Sequence, residues 1–88
     1  GYFGDITRTV VRGRASEKVR RQYEAVRGGV ELAFGLLRDG AAARQVHLSV
    51  ERFFRRAGFR TRRQNGRRVG FFHGTGHGLG LEIHEPPR

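Results

Sequence analysis

Cysteine is absent from the 88 residues, which excludes a disulfide scaffold and a thiolate-ligated metal site and is compatible with a reducing compartment. Methionine is absent too, including at position 1, so the residues are expected to belong to a longer reading frame. No apolar run approaches the roughly 20 residues that a membrane-spanning helix needs, and no charged-then-apolar leader opens the sequence. A cytoplasmic protein with no membrane partner is the default expectation. Acidic residues are few, 8 against 18 Lys and Arg, for a formal charge of +10. Such an excess ordinarily points to nucleic acid or an anionic surface. Yet Lys18 is the sole lysine, a skew towards arginine that GC-rich coding produces without selection for binding, and no recognised nucleic-acid motif accompanies the charge. Nucleic acid is therefore not the expected partner. A chain this short forms one small domain whose burial is marginal, so help from a partner, including a second copy of itself, is compatible with its size.

What the sequence does hold is concentrated in residues 71–87, FFHGTGHGLGLEIHEPP. His73, His77 and His84 are interleaved there with Gly74, Gly76, Gly78 and Gly80. Imidazole binds metals and carries protons near neutral pH, while glycine lets the backbone turn sharply or approach a ligand closely. The pattern is that of a site. In a straight strand His77 and His84 would lie roughly 23 Å apart and on opposite faces. To share a site the chain must bend or bulge between them, which Gly78 and Gly80 permit. Pro86 and Pro87 then remove two backbone donors and end any strand pairing.

Ahead of this stretch, the β-branched residues Ile6, Thr7, Thr9, Val10 and Val11 predict a strand over Tyr2 to Val11, which would carry Asp5, with a turn at Gly13. By itself Asp5 reads as a surface or turn residue. Ser16 can cap a helix with Glu17 in its first turn, and the spacing of Val19, Tyr23, Val26, Val30, Ala33 and Leu37 places them on one packing face, with an end near Gly40. Gly28 and Gly29 cost that helix about 1 kcal/mol each relative to alanine. A second helix is expected from about Ala42 to Ala57, with Val46, Val50, Phe53 and Ala57 inward, Phe54 widening the face and Gly58 closing it. His47 reads as an ordinary, partly exposed residue of that helix. Asn65-Gly66 signals a tight hairpin turn. Around it Arg60, Arg62, Arg63, Arg67 and Arg68 form the densest positive charge, either a solvated hairpin tip, a contact for some other part of the protein, or a phosphate-binding surface. The order predicts an α/β (α+β) unit, two helices on one face of a largely antiparallel sheet.

His73 and His77 resemble a short zinc-type pair, but the usual version needs a helix, which four glycines in this stretch forbid. A phosphate-loop reading of GTGHGLG is weak, because the following LEIHEPP is strand-like and supplies no helix N-terminus.

GHGLGLEIHEPP resembles the signature of the pita-bread metallopeptidases, the superfamily of methionine aminopeptidase, creatinase, prolidase and aminopeptidase P. GYFGDITRTVVRG is similar to the same superfamily's other strand motif, an aspartate, here Asp5, before Thr7, Arg8 and Thr9. The likeness covers essentially the whole chain, and His73 with the His-Glu-Pro-Pro ending is nearer the Xaa-Pro branch, prolidase and aminopeptidase P. The resemblance implies a pita-bread fold of which residues 1–88 are a central part of the catalytic domain, two divalent metal ions on five protein ligands, and hydrolysis of peptides at the bond before proline. It makes Asp5 and His77 metal ligands. His84 becomes the catalytic histidine that contacts substrate and stabilises the tetrahedral intermediate, and His73 lines the substrate pocket. Oxygen-rich ligation with one imidazole suits manganese best, with cobalt, iron or zinc as alternatives.

The likeness also implies what is missing. The superfamily's first aspartate ligand precedes Gly1, its two glutamate ligands follow Arg88, and Glu82 and Glu85 do not match them. With two ligands of five, these 88 residues are expected to bind metal weakly and to be inactive alone. Two rivals stay open at this stage, a non-catalytic binding module of the same fold and a small basic nucleic-acid-binding protein.

Overall fold

The computed structural model describes Tyr2 and residues 4–87. Among these, two helices are followed by an antiparallel hairpin, the α/β composition expected. Helix α1 spans Glu17–Leu36 and helix α2 Ala43–Arg56. Strands β1 (Arg62–Gln64) and β2 (Arg67–Val69) follow. Neither helix is long and apolar enough to cross a membrane.

Helix α1 begins as its sequence predicts. Ser16 holds extended backbone geometry and its hydroxyl accepts the Val19 N–H at 3.2 Å, satisfying one of the donors that a helix start leaves open, while Glu17 complements the positive end of the dipole. It ends at Leu36, a few residues before the expected Gly40. Helix α2 ends in a Schellman turn. Gly58 takes φ +95°, its N–H reaches the Arg55 carbonyl at 3.1 Å, and the Phe59 N–H reaches the Phe54 carbonyl at 2.8 Å.

Of the predicted α1 face only Ala33 is buried. Val19, Tyr23, Val26, Val30 and Leu37 are each 42–57% exposed, and the residues that go inside are Gly29 and Ala33, with Leu36 alongside. The physical reason is a fit between ring and backbone. A Cβ on Gly28 would stand 2.7 Å from Phe53 Cζ, and one on Gly29 would stand 2.7 Å from Phe54 Cζ. The two glycines thus leave room for two adjacent rings of α2, and that close approach, rather than the valine stripe, sets the rotation of α1 about its axis. Ala33, Val46 and Val50 form the buried centre, with Leu36, Phe54 and Phe71 packed around it.

The hairpin forms as its Asn-Gly pair dictates. Asn65 and Gly66 both take positive φ, 53° and 77°, between the paired residues Gln64 and Arg67. All the strand residues are exposed. The predicted strand at the start of the chain does not form, since residues 4–11 have no ladder partner among the described residues. Its β-branched residues instead face solvent, Ile6 at 78% and Val10 at 91% exposure. Strand preference is a preference for a pleated, half-buried surface, and without a neighbouring strand it has nothing to act on.

Candidate metal centre

The site is built by a bend. The Gly78 N–H donates to the Glu85 carbonyl at 2.7 Å, and the two residues form an isolated antiparallel bridge that closes residues 78–85 into a loop. Glycine is required at the closure, because a Cβ on Gly78 would collide with the Pro86 carbonyl oxygen. A Cβ on Gly80 would lie 2.5 Å from Glu85 Oε1. That carboxylate is spent inside the loop, accepting the Glu82 N–H at 2.9 Å. The residues flanking the bridge are thereby brought together. His77 and His84, which an extended chain would keep far apart, stack edge to face with centroids 4.6 Å apart and planes at 85°.

Asp5 arrives from the other end of the sequence. Its Oδ2 lies 2.9 Å from His77 Nε2 across 72 residues of chain. One ligating atom from each of Asp5, His77 and His84 lies within 4.8 Å of the others. His77 is the most enclosed of the pair, with 22% of its side chain exposed against 48% for Asp5.

The hydrogen bonding of His77 decides what the pair can hold. Its Nδ1 lies 3.0 Å from the Gly78 carbonyl oxygen, which only accepts, so the contact is a hydrogen bond in the tautomer that carries its proton on Nδ1. Nε2 then faces a carboxylate, and a neutral ring would set a lone pair against a negative oxygen. In that tautomer the contact is favourable with a positive centre between them, either a second ring proton or a cation. The separation admits the latter. Two neighbouring ligands of an octahedral ion with bonds of about 2.1 Å are about 3 Å apart, close to the 2.9 Å found here. A carbonyl that fixes the ring and leaves Nε2 outward is the usual support for a metal-bound imidazole.

His73 does not join this group. Its Nδ1 lies 2.7 Å from the Gly74 carbonyl, and its ring meets Phe71 edge-on with centroids 5.0 Å apart. His47, expected to be an ordinary helix residue, makes a long-range contact instead, its Nδ1 lying 2.9 Å from the hydroxyl of Thr75, which sits between His73 and His77. Its place beside Val46, on the edge of the buried face of α2, was the one signal in the sequence that could have suggested this. Arg60, Arg62, Arg63, Arg67 and Arg68 are all exposed on or beside the hairpin, and Arg68 lies 5.6 Å from the ring centre of Phe72.

Comparison with known proteins finds relatives along nearly the whole chain. The chain is 36% identical over 87 residues to an Xaa-Pro dipeptidase of Pyrococcus furiosus, covering 99% of this chain and 23% of that protein. It is 35% identical over 88 residues to an uncharacterized peptidase of Methanocaldococcus jannaschii, with coverage of 100% and 22%. A probable dipeptidase, PepE, of Mycobacterium tuberculosis is 33% identical over 87 residues, with coverage of 99% and 21%. The chain thus spans about a fifth of the length of these relatives. No solved structure matches it. The model of metallopeptidase family M24 matches residues 1–88 throughout, and the chain, with its paired aspartate and histidine, belongs to that family.

Proposed function

We propose that residues 1–88 are a central part of the catalytic domain of a metal-dependent peptidase of pita-bread fold that cleaves the bond before proline. The observation that carries this reading is the meeting of Asp5 and His77, a carboxylate and an imidazole across a gap of cation size. The Xaa-Pro dipeptidase among its relatives supports the choice of substrate.

In this reading Asp5 and His77 hold a divalent ion, and the intact enzyme holds two. Manganese suits an oxygen-rich set with one imidazole, with cobalt, iron or zinc able to substitute. Divalent ions bound there would supply an activated water and polarise the scissile carbonyl. The chain's own residues do the positioning. The Gly78 carbonyl fixes the His77 tautomer, and the Gly78–Glu85 closure holds His84 against His77, where an N–H can stabilise negative charge developing on a peptide carbonyl. His73, edge-on to Phe71, lines the pocket for the residue after the cleaved bond. A cytoplasmic peptide would be the substrate. The isolated chain, with a partial ligand set, is inactive.

The test is to express the sequence with its flanking reading frame and assay manganese-dependent hydrolysis of Xaa-Pro dipeptides. Cleavage that fails on Asp5→Asn or His77→Gln is expected from the full frame, and none from residues 1–88. A flanking sequence without two suitably placed glutamates would identify a non-catalytic member of the family instead.

A further inference from the structure

We propose that His47 is a positioning residue for the histidine loop, acting through Thr75 and Phe71 without touching the metal centre. Its functional consequence rests on the reading of His77 as a metal ligand; the anchoring itself does not.

Residues 73–77 read His-Gly-Thr-Gly-His, so Thr75 is the one residue with a side chain between the two histidines. Gly74 and Gly76 on either side give this segment large conformational freedom, and it would sample many separations of His73 and His77 unless its midpoint were held. The hold comes from α2. His47 is half-buried, and its Nδ1 meets the Thr75 hydroxyl at 2.9 Å across 28 residues of chain. The same ring lies against Phe71, centroids 5.3 Å apart. Phe71 in turn meets Phe54 of α2 edge-on at 5.0 Å and His73 edge-on at 5.0 Å. Thr61 adds a backbone tie, its hydroxyl donating to the Phe71 carbonyl at 2.6 Å. One imidazole therefore fastens both the entry of the loop, at Phe71, and its centre, at Thr75. The helix pair contributes rigidity, and the loop contributes chemistry. His47 is the polar link between them.

Two substitutions separate the hydrogen bond from the ring. His47→Phe keeps an aromatic ring on Phe71 but loses the nitrogen, and His47→Asn keeps a polar atom near the position of Nδ1. Thr75→Val removes the hydroxyl with little change of shape and leaves α2 untouched. In the full chain, amide exchange at Gly74, Gly76 and His77 is expected to quicken about 10-fold in His47→Phe and in Thr75→Val, with exchange in α1 and α2 unchanged. The double variant should go no further than either single one, and His47→Asn should return exchange to near the starting rate. Binding of manganese alone, read from the resonance of the free ion, should weaken about 10-fold in the same two variants and recover in His47→Asn. Unchanged loop exchange in Thr75→Val, or additive effects in the double variant, would overturn the proposal. If the parent chain takes up no manganese, the metal reading fails while the exchange data still decide the role of His47. Should His47→Phe not fold, Thr75→Val decides alone.

Discussion

The helix pair and the histidine loop are held by different kinds of force. Helices α1 and α2 follow local rules, a serine cap, a Schellman turn and a face of small and branched residues, and they interlock where Phe53 and Phe54 meet Gly28 and Gly29. The loop that carries His73, His77 and His84 has no buried side chain of its own. It is shaped by a few polar contacts, two of them long-range, Asp5 to His77 and His47 to Thr75, and one within the loop, Gly78 to Glu85. The candidate site thus lies on a part with less packing than the helix pair, and its geometry is borrowed in part from neighbours. That division makes the two regions separable by mutation.

The largest effect should come from the helix pair. Val50 is 2% exposed at the centre of a small core, so Val50→Asp buries an unpaired charge and is expected to cost about 3 kcal/mol or more, abolishing the cooperative helical melt seen by circular dichroism at 222 nm. A retained melt would show that the interface between α1 and α2 contributes little. In the loop, Asp5→Asn should leave that melt in place and weaken manganese binding by about 100-fold, equal to about 2.7 kcal/mol, measured by calorimetry. Equal losses of helix and metal would mean that the two regions are one cooperative unit. Next in size, Gly78→Ala places a methyl group against the Pro86 carbonyl and should open the Gly78–Glu85 bridge at a cost of about 1–3 kcal/mol to loop closure. The check is loss of the proton cross-relaxation between the His77 and His84 rings. Smallest is the hairpin. Arg63 and Arg68 stand directly opposite each other, and Arg63→Glu should turn a like-charge pair into an attractive one worth about 0.2–1 kcal/mol, with the gain shrinking as salt is raised.

The sequence foretold the features that depend on near neighbours. Ser16, Gly58 and Asn65-Gly66 each specify backbone geometry within a few residues, and each acts as expected. The bend between His77 and His84 was legible for the same reason, because only glycine tolerates the approach of Gly78 to the Pro86 carbonyl. What was not legible depends on partners. The β-branched run Ile6–Val11 predicts a strand, but a strand exists only by pairing, and no neighbour among the described residues supplies the ladder. The valine and tyrosine stripe of α1 marks an apolar face, yet periodicity does not reveal that two phenylalanines fit a pair of glycines better than they fit the stripe. His47 escaped notice because its partner, Thr75, is distant in sequence and chemically unremarked. Asp5 gained meaning only from its motif, and the fold then set it against His77.

The most direct measurement is a cobalt titration of the chain followed by nuclear magnetic resonance of the imidazole nitrogens and the Asp5 carboxyl carbon. Paramagnetic shifts should appear together at His77 Nε2 and at Asp5, with Nδ1 of His77 still protonated, and both should vanish in Asp5→Asn. Shifts centred on His77 Nδ1, or on His73 without Asp5, would contradict a shared cation at this pair.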